Sequence, residues 1–475
     1  MSSSPETSKF KVIIVGGSIA GLTLAHCLDK LCGVDYVVLE KREEIAAQEG
    51  ASIGILPHGG RILDQLGLFE EIERNTEPLT TAHISYPDGF THTNRSPSAI
   101  LARFGLPFAF LERRKLLDIL YKSLPDTSRV LLGKTLVSVE QQKGDDCIAV
   151  RTQDGNLHRG HLVVGADGVH SRVRSEMWRL AETDQLGLIS EQERNGMIVD
   201  YACVFGISDS VPDLQPGEQV ASLNEGRSFL TFPGQDGRVF WFLLMKLERQ
   251  YSYSAAPRWS PIDIEKTAKR FANDKIWNGI QFGDLWQRRQ VVGITNLEEN
   301  VFRTWHHGRI VCIGDSMHKM APNTGQGANC AVEDAAALAS TIYDTIQRDG
   351  NPSSAEMKSL LHSFNKIRLA RVQEIYKSAR LVVRLHARES FLLRLIGRYY
   401  LPYSGDLPAD TASRVIAGGV QLSFLAPSKR SGPGWEEYRA RKGTSHVALT
   451  AGIVGLTLIL FFVSHFAATD RLPVS

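Results

Sequence analysis

Near the N-terminus the apolar residues fall into short, solid runs. Residues 11–15 (KVIIV) form one and residues 34–39 (VDYVVL) another, and each predicts a short strand buried on both faces. Between them, residues 19–31 carry apolar groups at helical spacing. Strand, helix and strand in that order make a β-α-β unit, whose right-handed crossover leaves the strands parallel. From about residue 81 to 94, and again from about 198 to 290, the pattern turns to alternation, which predicts strands with two unlike faces. The clearest case is RSFLTFPGQDGRVFWFLLM, two runs around Pro233-Gly234-Gln235-Asp236-Gly237 that predict a hairpin. Phe229, Phe232, Phe240, Trp241 and Phe242 place apolar groups on both of its faces. One face should cover the core; the other either lines an apolar cavity or packs on helices.

Residues 355–400 read as helical and basic, with Arg380, Arg384, Arg388, Arg394 and Arg398 set among Leu, Val and Phe. Such a helix either packs on the body with a solvated arginine face or lies along a membrane interface. Pro402, Pro408, Gly418-Gly419 and Pro433 predict a loose region after it. Residues 447–468 (VALTAGIVGLTLILFFVSHFAA) contain no Asp, Glu, Lys or Arg, and their length matches a bilayer's hydrocarbon core. They predict a single transmembrane helix. Lys429, Arg430, Arg439, Arg441 and Lys442 precede it and only Arg471 follows, so the body of the chain is expected on the cytosolic side, at the endoplasmic reticulum. The polar start, MSSSPETSKF, has no apolar signal core, and secretion is not expected.

The 475 residues, 43% apolar and 22% charged, are enough for a large globular core. A net charge of +2 gives no reason to expect nucleic acid as a partner. The six cysteines are scattered without a C-x-x-C, and His306-His307 is a bare pair, so no metal centre is expected.

The first strand runs into Gly16-Gly17-Ser18-Ile19-Ala20-Gly21, one residue short of the G-x-G-x-x-G dinucleotide fingerprint. Gly16 suits the tight turn, Gly21 close packing of helix on strand, and Ser18 is small enough for a pyrophosphate to approach. Glu40, 24 positions after Gly16, is placed to hold ribose hydroxyls. Alone, the loop is a weak signal, because a plain turn can carry the same glycines. Two later segments change that. Residues 162–174 (LVVGADGVHSRVR) carry a strand into Asp167-Gly168. Residues 309–339 (RIVCIGDSMHKMAPNTGQGANCAVEDAAALA) carry another into Gly314-Asp315, then Gly325-Gln326-Gly327 and a helix.

With these three motifs in order, the chain resembles the single-component (class A) FAD-dependent monooxygenases. In VGGSIAGLTLAHCL and GASIGILPHGGRILDQLG it is most similar to fungal membrane-bound epoxidases of meroterpenoid and indole-diterpene pathways. The resemblance implies an α/β fold: a Rossmann-type FAD-binding domain (8–80, 101–190, 295–345) with an inserted mixed or antiparallel substrate-binding β-sheet domain (81–100, 191–294). C-terminal helices (350–440) and the transmembrane helix would follow. It implies bound FAD held by Gly16, Gly17, Ser18, Gly21, Glu40, Gly54, Arg113 (with Arg114 as its neighbour and rival), Asp167, Asp315, Gly327, Ala328 and Asn329. Asp167 would act through side chain or backbone. Gly327, Ala328 and Asn329 would present a helix start to the flavin. With one fingerprint in the chain, NADPH or NADH is expected as a transient reductant without its own domain.

The implied reaction uses NAD(P)H and O2 to epoxidise an alkene of a prenylated, meroterpenoid-type substrate; the alternative is hydroxylation of an aromatic ring on a lipophilic substrate. An alkene needs no deprotonation, so no catalytic side chain is assigned. Tyr201 is a candidate that either faces the cavity or simply packs. The expected partners are the lipophilic substrate, the lipid bilayer and a membrane-bound terpene cyclase acting on the epoxide.

Overall fold

A computed structural model describes residues 9–47, 50, 52–141, 146–349 and 351–440. The first two apolar runs become strands Phe10–Val15 and Val34–Leu39, paired in parallel and joined by helix Ile19–Asp29. The sheet continues in the order Val130–Leu131, Val34–Leu39, Phe10–Val15, Leu162–Gly165, Ile310–Cys312, His306–His307. Only the last strand is antiparallel to its neighbour. The three motifs therefore leave the carboxyl ends of three adjacent parallel strands, at Val15, Gly165 and Cys312, where open α/β sheets bind ligands. Chain distance is irrelevant to this: residues 16, 167 and 315 meet because their strands pair.

A second, mixed sheet has eight strands. Their order is His318–Lys319, Arg289–Val301, Ile198–Ser208, Val239–Ser252, Arg227–Pro233, Glu218–Asn224, Thr81–Ser85, Thr91–Asn94. The hairpin expected around Pro233–Gly237 is present, pairing Phe232 with Phe240. The alternating stretch from 198 to 290 also contains two helices, Pro261–Phe271 and Phe282–Gln287. Ser260 and Asp263 open the first with a reciprocal capping box, a local signal that the strand-like alternation around it obscures. Both helices cover the outer face of the sheet, against Phe229, Trp241 and Leu243. The inner face carries Tyr201, Cys203, Leu230, Phe232, Phe240 and Leu244, and meets Ala321, Val383 and Ala387.

The basic region forms a 33-residue helix, Ser354–His386, which stops where Arg388 takes φ +50°. The arginines on this helix and just after it are not a free, solvated row. Arg384 pairs with Asp200 at 2.6 Å, Arg394 with Glu225 at 2.8 Å and Arg398 with Asp88 at 2.7 Å, all carboxylates of the second sheet or its turns. The helix packs on the body, the first of the two expected arrangements, but its arginine face is paired with carboxylates rather than left to solvent.

The membrane assignment is also corrected. Among the described residues no helix is long and apolar enough to cross a membrane. Residues 447–468, on which the expected span falls, lie outside the described residues. The single-pass anchor, and the endoplasmic-reticulum placement built on it, therefore have no support in the structure. Apolar composition over the right length is a local property, and it places no helix in a bilayer by itself.

Candidate cofactor and active site

The glycine loop is built for close approach. Gly16 adopts φ +110°, and a Cβ there would lie 2.3 Å from the Ala166 carbonyl oxygen. A Cβ on Gly21 would lie 1.9 Å from the Gly16 oxygen, so helix Ile19–Asp29 can sit on the strand only with glycine at 21. Ser18 is the N-cap, but its side chain makes no capping bond, and no acidic residue stands in the first turn. Those first N–H groups have no acceptor within the helix and suit an anion. Ser18 Oγ instead accepts a 2.9 Å bond from Arg113 Nη2, which brings the guanidinium to the loop. Glu40 is buried; its Oε2 accepts from Gly17 N at 2.6 Å and its Oε1 from Arg42 N at 3.0 Å. Arg42 Nη1 also donates to Oε1 at 3.1 Å, so Glu40 braces the loop and keeps acceptor room on Oε2 for a hydroxyl donor.

Asp167 turns its carboxylate to its own chain. It accepts from Ser171 Oγ at 2.5 Å, Arg172 N at 2.7 Å and Val173 N at 3.0 Å, closing the start of helix Arg172–Asp184. Burial pushes its carboxyl up. What this segment turns toward the loop is backbone: a Cβ on Gly16 would meet the Ala166 carbonyl and Asp167 N. Arg174 ties it to the next motif, donating to Ser316 O at 2.5 Å and Val169 O at 3.0 Å.

Asp315 sits in the turn after Ile310–Cys312, and a Cβ on Gly327 would be 4.0 Å from its Oδ1. The turn and the start of helix Gln326–Asp349 thus face one another. Asp315 is paired with Lys319, a partner that the motif pattern did not suggest. Burial pushes the Asp315 carboxyl up, but Lys319, His318 and Arg113 outweigh it and hold it below the usual range. Gly327 and Ala328 stand in the first helical turn, whose N–H groups lack intrahelical acceptors. Asn329 is buried and fixed by its side chain: Oδ1 accepts from Leu56 N at 3.0 Å, and Nδ2 donates to Gly54 O at 2.9 Å and Gly325 O at 2.7 Å. It clips strand Ser52–Ile55 to the helix start. Gly54 pairs with Phe110, whose ring stacks on Phe232 of the second sheet at 4.0 Å. Tyr201 is buried on the inner face and donates to Glu389 Oε2 at 2.7 Å. Among the described residues Arg114 makes no hydrogen bond or ion pair to the glycine loop.

Residues 9–189 and 258–379 match the FAD binding domain family. The chain is 69% identical over 470 residues to the FAD-dependent monooxygenase cle3 of Aspergillus versicolor, covering 97% of this chain and 96% of that protein. The chain belongs to the FAD-dependent monooxygenases. It is also 57% identical over 470 residues to the FAD-dependent monooxygenase esdpE of Penicillium shearii, covering 98% of this chain and 96% of that one. Among solved structures, Klebsiella pneumoniae HpxO complexed with FAD and uric acid matches with a TM-score of 0.71. At 22% identity, covering 86% of this chain and 97% of that one, this likeness speaks to the fold.

The residues of this monooxygenase fit FAD. An uncapped helix start, two glycines without room for a Cβ and the Arg113 guanidinium converge on one loop, a donor set for a pyrophosphate. A second helix start, with unpaired N–H groups at Gly327 and Ala328, suits the electron-rich edge of a reduced ring.

Behind these turns lies an ionic network that the sequence motifs did not predict. Asp334 Oδ2 accepts from Gly314 N at 2.8 Å and meets His318 Nε2 at 2.7 Å. Arg368 donates to Asp334 at 2.7 Å and to Glu333 at 2.5 Å, and Arg371 forks onto Glu333 with two 2.7 Å bonds. Burial pushes the Glu333 carboxyl up, but the two arginines outweigh it and hold it well below the carboxylate range. The network fixes the turn carrying Asp315 to both long helices.

Nor do the motifs point to His58. It is buried, its Nε2 meets Gln326 Oε1 at 3.0 Å and its Nδ1 has no hydrogen-bond partner. Burial lowers its pKa from 6.5 to about 4. Between those values the unfolded chain binds a proton that the folded one refuses, so stability falls as pH drops through this window. From pH 7 to 5 His58 should cost about 2 kcal/mol. Urea unfolding of His58→Gln should show a correspondingly flatter pH dependence over that interval; an unchanged slope would reject this.

Proposed function

We propose that this monooxygenase epoxidises an alkene of a prenylated substrate, with NADPH or NADH as transient reductant. The observation that carries the reading is the chemistry of the inner sheet face. Its polar groups are poor bases. Tyr86 donates to Gly397 O at 2.5 Å and burial pushes its hydroxyl up to about 12. Tyr201 is bound to Glu389, and burial, then that bond, push its hydroxyl up as well. Burial raises the Cys203 thiol and lowers His386 to about 4. A face of this kind suits a substrate that reacts without losing a proton, as an alkene does.

Bound FAD supplies acceptance of reducing equivalents from the nicotinamide and activation of dioxygen. The chain's own part is to bind, orient and keep water out. Phe110, Phe232, Phe240 and Phe242 form an aromatic wall beside Gly54, with ring centroids 4.0–6.3 Å apart, and exclude water from that end. Ring hydroxylation on the same face is the second reading, favoured only if Glu389 draws a proton through Tyr201. The epoxide is an electrophile that a terpene cyclase would consume.

The test is incubation of the FAD-loaded protein with NADPH or NADH, air and a panel of prenylated phenolics and indoles. The expected product has gained one oxygen and lost one olefinic bond of the tail. A product oxygenated on the ring with its tail intact would reject epoxidation.

A further inference from the structure

One end of the inner face is polar and unpaired. Strand Arg227–Pro233 alternates, so Ser228 points to the same side as Leu230 and Phe232, into the apolar cluster. Ser228 is fully buried and its Oγ has no hydrogen-bond partner. Arg388 comes to the same end of the sheet, because Gly226 N donates to Ala387 O at 2.8 Å. Its guanidinium lies 5.9 Å from the Tyr86 ring, and its side chain is only 15% exposed. Nε and Nη1 have no hydrogen-bond partner, and Nη2 is 3.9 Å from Glu225, which itself pairs with Arg394 at 2.8 Å.

The backbone is held in place to present this side chain. Arg388 has φ +50°, a left-handed conformation that non-glycine residues adopt at a cost. Its carbonyl accepts from Arg394 Nε at 3.1 Å, and the preceding carbonyl is fixed by Gly226. Buried donors without acceptors are costly, and an oxygen-bearing ligand would satisfy them. From Ser228 the strand runs four residues to Phe232, about 13 Å, where Phe110 stacks and Gly54 begins the flavin side.

We propose that Arg388 and Ser228 dock an anionic oxygen head group of the substrate, a carboxylate or phenolate, so that its apolar tail extends along the strand to the Phe110–Phe232 wall. This rests on the substrate class proposed above and deepens it: head at the polar pole, tail at the site of oxygen transfer. Arg388 is a specificity residue here, since it grips the end of the substrate that does not react.

Titrating the FAD-loaded protein and following the flavin absorbance tests this. Three probes are used: dihydroxybenzoate, farnesylated dihydroxybenzoate, and farnesylbenzene, which lacks the oxygens. The wild type should bind the farnesylated acid at least about tenfold tighter than farnesylbenzene. Arg388→Met should erase that preference and the binding of dihydroxybenzoate while leaving farnesylbenzene unchanged; Ser228→Ala should reduce the preference in part. Arg388→Lys should restore some of it. FAD content and melting temperature identify any variant that has merely unfolded, and Glu225→Gln controls for a role in holding the turn. The proposal is overturned if the wild type shows no preference, if Arg388→Met weakens all probes alike or none, or if Glu225→Gln reproduces its effect. Should the head preference depend on Arg388 while no tail epoxide forms, the docking site stands and the epoxidase reading falls.

Discussion

Asp315→Ala should give a folded protein that holds little FAD and does not turn over. Asp315 faces the start of helix Gln326–Asp349, and its turn is fixed from behind by Asp334. Removing a charged hydrogen-bonding group from a cofactor site costs about 1.5–3 kcal/mol, roughly a ten- to hundredfold loss of affinity. The loss should be compounded because Lys319 is left without its partner beside the cofactor. Asp315→Asn separates these effects by keeping the size and removing the charge. The measurements are flavin absorbance per protein after gel filtration, and far-ultraviolet circular dichroism for the fold. Full flavin content with normal turnover in Asp315→Ala would contradict the role given to it.

Arg368→Leu should be the most destabilising single change in the described chain. Arg368 is fully buried between Glu333 and Asp334, which are fully buried too. Burial pushes the Asp334 carboxyl up, but His318 and then Arg368 outweigh it, so losing Arg368 removes part of what keeps the carboxylate ionised. Removing one member of a buried ion pair leaves an uncompensated charge and costs about 3–5 kcal/mol. Arg371 retains part of the field at Glu333 but makes no hydrogen bond to Asp334, so the turn at Gly314 should loosen first. Urea unfolding checks the magnitude. FAD release at denaturant concentrations below global unfolding checks the coupling. A loss under about 1 kcal/mol would mean that water or a rearranged partner replaces Arg368.

The sequence by itself determined the elements that are governed locally. Solid apolar runs gave Phe10–Val15 and Val34–Leu39, because strands buried on both faces tolerate no polar alternation. The glycines at 16 and 21 were legible because a tight turn and a close crossing each forbid a side chain. Family resemblance then extended the reading to segments hundreds of residues away. It could not assign side-chain partners, which are set by what packs opposite. Asp167 proved to close its own helix, Asn329 to clip Gly54, and Asp315 to pair with Lys319. The row of arginines looked solvent- or membrane-facing because their carboxylate partners, Asp88, Asp200 and Glu225, lie on strands and turns more than 150 residues earlier. The buried network of Glu333, Asp334, Arg368 and His318 was invisible for the same reason: polar residues on separate helices and strands read as surface until the tertiary structure buries them against one another. Tertiary structure alone decided which polar groups are satisfied, and therefore that Ser228 and Arg388 are left with open hydrogen-bonding positions at one end of the inner face.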